Sequence, residues 1–350
     1  MQTDLQTWAN EWPADSSSSA ASTEASGDAN YYFNSYAHFG IHLDMISDNA
    51  RTSAYQRAIM NCAHLIKDKV VLDVGAGSGI LSIFAAKAGA RHVYALECSS
   101  ICGLAREIVR LNGLSDRITF VQGKAEEVVL PVESVDVIIS EWMGYGLLYE
   151  SMLDTVIYCR DRWLVPGGLM FPDRAVIKAA LVQDFEFQDN SNLTWKSIAG
   201  YDFSVLTPQV RQEAVVDVYE PESVVSSEAV LWDWDLTKVS VKDVDFAADF
   251  TVQFTKNSLA HAVLIYFDTP FPHDSALLCT GPSARPTHWK QCGFHLPEAV
   301  VATEGQMFSG RFAMRKSKQN PRDLDVKIDY TMPAVDGDME LVHSKVFRIR

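Results

Sequence analysis

An apolar, β-branched run that ends on glycines, Val70-Val71-Leu72-Asp73-Val74-Gly75-Ala76-Gly77-Ser78-Gly79, narrows the folds open to this chain more than any other stretch. Such runs read as strands buried on both faces, which occur almost only in parallel sheets covered by helices. The glycines let the backbone turn tightly and approach a ligand, and a helix expected from about Ile80 to Ala88 points its N-terminus at that turn.

The neighbouring segments repeat the alternation. Tyr32, Tyr36, Phe39, Leu43 and Ile46 recur at helical steps between Tyr31 and Ile66. Strands are expected at Lys69 to Val74, Arg91 to Glu97, Ile118 to Gln122 and Val135 to Ser140. Helices are expected at Ile101 to Asn112, ended by Gly113, and at Tyr149 to Trp163, stopped by Pro166-Gly167-Gly168. This order implies an α/β, Rossmann-like doubly wound sheet. After Pro172 the rhythm changes to short alternating runs rich in Val, Ile, Phe and Thr: Ala175 to Val182, Phe246 to Phe254, His261 to Phe267, Val300 to Thr303 and Asp325 to Tyr330. An antiparallel barrel or sandwich is expected there. Phe187 to Gln212 is mostly polar but carries Trp195, Tyr201, Phe203, Leu206 and Val210. Either it covers another subunit or it packs on itself.

A net charge of −15 argues against nucleic acid or an anionic membrane as the main partner, and fits a basic one. The six cysteines form no C-x-x-C pair and no zinc-spaced cluster. Reduced thiols, a cytoplasmic or nuclear location and no metal site are therefore expected. No apolar run reaches membrane-spanning length. Residues 1–29 include Ser16 to Ser19 and read as a disordered, serine-rich tail; they lack arginine, unlike a mitochondrial transit peptide.

Two constellations carry chemistry. Glu141 and Glu150 bracket a glycine-bearing loop after the Val135 strand. A hairpin there would aim both acids at one point, where like charges raise a pKa unless a cation lies between them. Guanidinium, flat and permanently charged with several N–H donors, is such a cation. The alternative is a pair of ordinary surface glutamates. In the glycine turn, G-x-G-x-G replaces the dinucleotide pattern, and Asp73 lies just ahead of it. Glu97 ends the next strand, where it can accept two ribose hydroxyls. An acidic site of this kind suits a ligand with an ammonium and a sulfonium, S-adenosyl-L-methionine, better than a pyrophosphate. Arg51 is a candidate for that ligand's carboxylate, with a plain surface position on a helix as the alternative.

The segment Tyr32-Phe33-x-x-Tyr36-x-x-x-Gly40-Ile41-His42, then Met45, Asp48, Arg51-Thr52, Tyr55, the glycine motif, the double-glutamate loop and Pro286-Thr287-His288-Trp289 follow in that order. Together they resemble the type I protein arginine methyltransferases from about Asn30 to Arg350, with Ser78 where Thr is usual. The resemblance implies N-terminal helices over 30–66, a methyltransferase domain over 67–174, and a β-barrel domain over 175–350 with a dimerisation arm at about 187–212. It implies that Tyr36, His42, Arg51, Asp73, Gly75, Gly77, Glu97 and Glu126 hold S-adenosyl-L-methionine. Glu141 and Glu150 would clamp the substrate guanidinium, and Tyr36, Met45, Tyr145, Met152 and Trp289 would line its path. His288 and Asp48 would pass on a proton, unless the histidine only braces its loop.

The expected activity is methylation of arginine in histone tails and Arg/Gly-rich RNA-binding proteins, giving monomethyl- and asymmetric dimethylarginine. The expected assembly is a homodimer or higher oligomer, with a related partner subunit as a further option. Two other readings remain open: a methyltransferase of a small guanidino metabolite, and a non-catalytic regulatory subunit.

Overall fold

A computed structural model describes Trp8, Asn10, Trp12 and residues 39–187, 194–332 and 341–350. Tyr36 and the rest of 13–38 lie outside the described residues, as do 188–193 of the expected arm. Helices α1 (Phe39–Ser47), α2 (Asn49–Asn61) and α3 (Ala63–Ile66) come first. They lead into β1 (Val70–Val74), whose five residues are all buried, as a strand covered on both faces requires. Next come α4 (Ile80–Lys87), β2 (His92–Glu97), α5 (Cys102–Leu111), β3 (Ile118–Gln122), β4 (Val135–Ser140), α6 (Met152–Trp163) and β5 (Leu164–Phe171).

The sheet is parallel in the order β3-β2-β1-β4-β5. The chain leaves β1 for β2 on one side and returns to β4 on the other. Ligands bind in the crevice beyond the carboxyl ends of strands at such a reversal. Helix α6 ends at Trp163, as expected, but Pro166-Gly167-Gly168 is not a loop. It runs within β5, which has one neighbour only, and an edge strand tolerates a residue that cannot donate.

The second half holds two antiparallel sheets. One has the order β7-β12-β10-β6-β8 with β11 on β10: β6 (Arg174–Val182), β7 (Val215–Asp217), β8 (Ala229–Asp235), β10 (Ser258–Pro270), β11 (Leu277–Cys279) and β12 (Gln291–Ala302). The other has the order β15-β14-β13-β9: β9 (Phe246–Gln253), β13 (Met307–Lys316), β14 (Leu324–Met332) and β15 (Leu341–Ile349). Bridges Ser226–Phe254 and Glu213–Arg348 link them. Their apolar faces join the parallel sheet in one large core.

Between β6 and β7 the described part of the polar excursion contains a short helix, α7 (Thr207–Val210), and a turn in which Phe203 N–H donates to Trp195 O at 2.7 Å. Tyr201 and Val205 are 71% and 75% exposed. Among the described residues, no helix is long and apolar enough to cross a membrane, and no group of His, Cys, Asp and Glu is placed to hold a metal.

Candidate active site

A cleft of about 1250 Å³ opens at the β1/β4 reversal, between the parallel sheet and the strands that follow it. His42, Met45, Asp48, Arg51, Gly75, Gly77, Glu97, Glu126, Glu141, Tyr145, Glu150, Met152, His288 and Trp289 all line it. Residues spread over 248 positions of sequence thus meet at one place, counting from His42 to Trp289.

At the β1 end, Gly75 and Ala76 N–H donate to Leu96 O at 2.9 and 3.0 Å, which ties the turn to β2. Gly77 N–H donates to Glu97 Oε2 at 2.8 Å, and Ser99 N–H to Glu97 Oε1 at 2.7 Å. The carboxylate is fixed by two backbone donors, and each oxygen keeps a lone pair for a ligand hydroxyl. Gly75 has φ 71°, and a Cβ there would lie 2.2 Å from Met152 Cε. The positive φ favours glycine, and a side chain there would also push aside the Met152 tip that lies over the turn. Glu126 is exposed on the cleft wall, within 3.4 Å of the Thr155 hydroxyl.

Asp73 departs from the expectation. It is fully buried and absent from the cleft lining, and its Oδ2 accepts a 2.6 Å bond from Ser82 Oγ on α4. Burial raises its pKa to about 7 against the lowering effect of Ser82. A side chain at an odd position of a doubly covered strand points to one helical layer, so Asp73 backs the turn from behind instead of charging the ligand site.

At the β4 end, Glu141, its side chain 7% exposed, receives Arg51 Nε at 3.0 Å and Nη2 at 2.9 Å, both on Oε2. Arg51 Nη1 also donates to Met45 O at 3.1 Å. The expected cation for a cofactor carboxylate therefore sits on one of the two acids, which settles it inside the cleft and not on the surface. The loop beyond Glu141 folds back through a Gly144–Leu147 bridge. A Cβ on Gly144 would meet Tyr149 O at 2.2 Å, so the hairpin closes only around glycine. Tyr145 stacks on Tyr149, with centroids 5.9 Å apart.

Leu147, Glu150 and Ser151 all have positive φ, at 75°, 75° and 58°. Non-glycine residues hold that conformation only when surroundings impose it. Glu150 N–H donates to Arg322 O, and Arg322 Nη1 donates to Glu150 O, both at 2.8 Å; Ser151 Oγ donates to Pro321 O. The turn between β13 and β14 thus sets the place of Glu150.

Asp48 caps α2, with Oδ1 accepting Arg51 N–H at 3.0 Å. Its Oδ2 accepts from His288 twice, from the backbone N–H at 2.9 Å and from Nδ1 at 2.8 Å. Burial works to raise the Asp48 carboxyl, but the bonds from His288 and Arg51 outweigh it and hold it below the usual range. Asp48 thus fixes the orientation of the His288 ring through Nδ1. Trp289 lines the cleft although it is 2% exposed, and its Nε1–H donates to Met143 O at 2.7 Å, bracing the glutamate loop. Sequence reasoning had no hold on Arg322 and Pro321, because nothing local marks a hairpin turn that meets a loop 170 positions earlier.

A Rossmann-like sheet, a glycine turn and an acidic cleft at the strand reversal define the class as a methyltransferase-fold protein. Residues 71–168 match the family model described as "Methyltransferase domain", and 173–334 the one described as "Arginine methyltransferase oligomerization subdomain". Over 324 residues the chain is 43% identical to protein arginine N-methyltransferase 1 of Chlamydomonas reinhardtii, covering 92% of this chain and 93% of that one. It is 46% identical over 306 residues to protein arginine N-methyltransferase 1.1 of Arabidopsis thaliana, covering 87% and 78%. The chain belongs to the protein arginine N-methyltransferase family.

Among solved structures it resembles the Trypanosoma brucei PRMT1 enzyme-prozyme heterotetrameric complex with AdoHcy. The TM-score is 0.86 at 41% identity, covering 90% of this chain and all of that one. It also resembles Arabidopsis thaliana protein arginine methyltransferase 10, at TM-score 0.83 and 32% identity, covering 91% and all.

Proposed function

We propose that this chain is an S-adenosyl-L-methionine-dependent protein arginine N-methyltransferase of type I. The observation that carries the reading is Glu141, already holding a guanidinium, that of Arg51, in a cleft that Glu150 also lines. When bound, S-adenosyl-L-methionine supplies an electrophilic methyl on sulfur. Glu97, with both oxygens oriented by backbone N–H groups, suits the ribose hydroxyls, and Glu126 lies on the same wall toward the adenine. His42 and Arg51 face the glycine turn from α1 and α2, with Arg51 the cation for the ligand's carboxylate.

The substrate arginine lies between Glu141 and Glu150. Carboxylates accepting its outer N–H groups draw positive charge from the attacking nitrogen and fix its direction. Preorganised charge of this kind contributes about 3 kcal/mol per key group. His288 Nε2, its ring held by Asp48, takes the proton that the product sheds. Met45 and Met152 crowd the reacting nitrogens, and their soft, flexible side chains bias the second methyl to the nitrogen already carrying the first. Asymmetric dimethylarginine is the product.

Arg/Gly-rich segments and histone tails are the proposed substrates, supported by the net charge of −15. The exposed Tyr201, Phe203, Val205 and Leu206 of the excursion support a dimer through that arm, with a second copy or a related chain as partner. Six free cysteines support a cytoplasmic or nuclear setting. Radiolabelled methyl transfer to a glycine-arginine-rich peptide, with the product typed by mass spectrometry, tests the reading. Label on arginine with the neutral loss of asymmetric dimethylarginine is expected; no label, or mainly symmetric product, overturns it.

A further inference from the structure

The outer face of the four-stranded sheet carries a feature that its alternation does not explain. Along β14, Leu324, Val326, Ile328 and Tyr330 turn into the core, so Asp325, Lys327 and Asp329 face outward. Yet Lys327 is only 6% exposed, and Ala313, its register partner on β13, only 1%. A buried lysine on a solvent-side face needs a cover that satisfies its charge. The cover comes from residues more than 300 positions away. The Trp8 ring lies 4.4 Å from Lys327 Nζ, and Trp8 O accepts from the same ammonium at 3.1 Å. Trp8 Nε1–H donates to Asp329. Trp12, four positions on, stacks its ring 3.8 Å from the Arg315 guanidinium, which pairs with Asp325 at 3.3 Å.

Arg315 and Asp325 flank the β13–β14 turn. That turn holds Glu150 by Arg322 and Ser151 by Pro321, and the adjacent Lys316 ion-pairs with Asp154 in the first turn of α6. Glu150 and Ser151 keep their left-handed backbone only while these contacts hold it.

We propose that Trp8 and Trp12 are positioning residues: seated on the outer face of β13 and β14, the two side chains stiffen the hairpin whose turn fixes Glu150. Their effect on catalysis rests on the proposed role of Glu150; their effect on the loop does not. Hydrogen–deuterium exchange on the full chain compares wild type with the Trp8→Ala/Trp12→Ala and Trp8→Phe/Trp12→Phe double variants. In the alanine variant, exchange across residues 144–152 and 317–323 is expected to quicken by about tenfold while β1 is unchanged; phenylalanine retains most of the protection.

Unchanged exchange at 144–152 overturns the positioning role, and so does equal loosening of β1, which would mark a general loss of stability. If the alanine pair does not fold, Trp12→Ala alone carries the same readout. Methyl transfer to the glycine-arginine-rich peptide is then expected to fall several-fold in kcat/KM with AdoHcy affinity kept. An inactive wild type would sink the function while the exchange result still decided the positioning role.

Discussion

The glycine turn after β1 and the double-glutamate loop after β4 lie side by side on adjacent strands, and they are held by opposite means. The turn is tied to Leu96, Glu97 and Ser99, all within 25 positions of Gly75. The loop is tied to Arg51, Trp289, Pro321 and Arg322, up to 172 positions away. One end of the cleft is a local device that any copy of the motif would build. The other exists only once the antiparallel sheets have docked, because its left-handed residues have no reason of their own to stay there. The two ends of the cleft therefore draw on different parts of the stability of the molecule.

Variants on the two sides should separate cleanly. Glu141→Gln, at the junction, is expected to cut methyl transfer by about a hundredfold or more with AdoHcy affinity within a few-fold of wild type. Single-turnover rates with calorimetric binding measure both, and near-normal turnover would remove the clamp. Glu97→Gln breaks the local side: AdoHcy binding is expected to weaken by roughly 10- to 100-fold, since bonds to a charged acceptor are the ones lost. Unaltered AdoHcy affinity would detach Glu97 from the ligand.

Arg322→Met breaks the long-range side, lowering kcat/KM for the peptide about tenfold without touching AdoHcy binding. A matching fall in AdoHcy affinity would show that the two ends are one unit. The smallest effect concerns Asp73, whose pKa burial lifts in the folded protein from the ordinary 3.8 to about 7. A raised folded pKa means that the group's stabilising contribution is full below 3.8 and is lost as pH rises through about 7. Relative to Asp73→Asn, wild type is thus expected to lose about 1 kcal/mol per pH unit between pH 5 and 7 in denaturant titrations. A flat difference would show that Asp73 is ionised throughout.

The legibility of the fold follows the same division. The strands Ile118–Gln122 and Val135–Ser140 are legible to the residue, because each is a short run rich in apolar, β-branched residues between turn residues; β4 is largely buried, whereas β3, at the sheet edge, exposes Thr119 and Gln122. The start of α6 was not. Tyr149-Glu150-Ser151 has helix-compatible residues, and only contacts with the β13–β14 turn force the chain left-handed and delay the helix to Met152. Arg51 looked equally like a surface residue, since helical spacing alone cannot say that Glu141 will come to meet it. Asp73 precedes the glycines and so reads as a ligand residue, but strand alternation turns it to Ser82. The region 1–29 was read by its serines as a disordered tail. Trp8 and Trp12, four apart and just before Pro13, are the two aromatics of that region that the structure seats on the sheet.

By itself the sequence determined the parallel sheet, the glycine turn with its Glu97 partner, the hairpin-forming glycines around the two acids and the family to which they belong, because each is encoded by neighbours in the chain. The tertiary structure alone decided where Glu150 stands, that Arg51 rests on Glu141, and that two tryptophans cover Lys327 and Arg315. Those contacts join residues far apart in sequence, and no local preference of either partner anticipates the other.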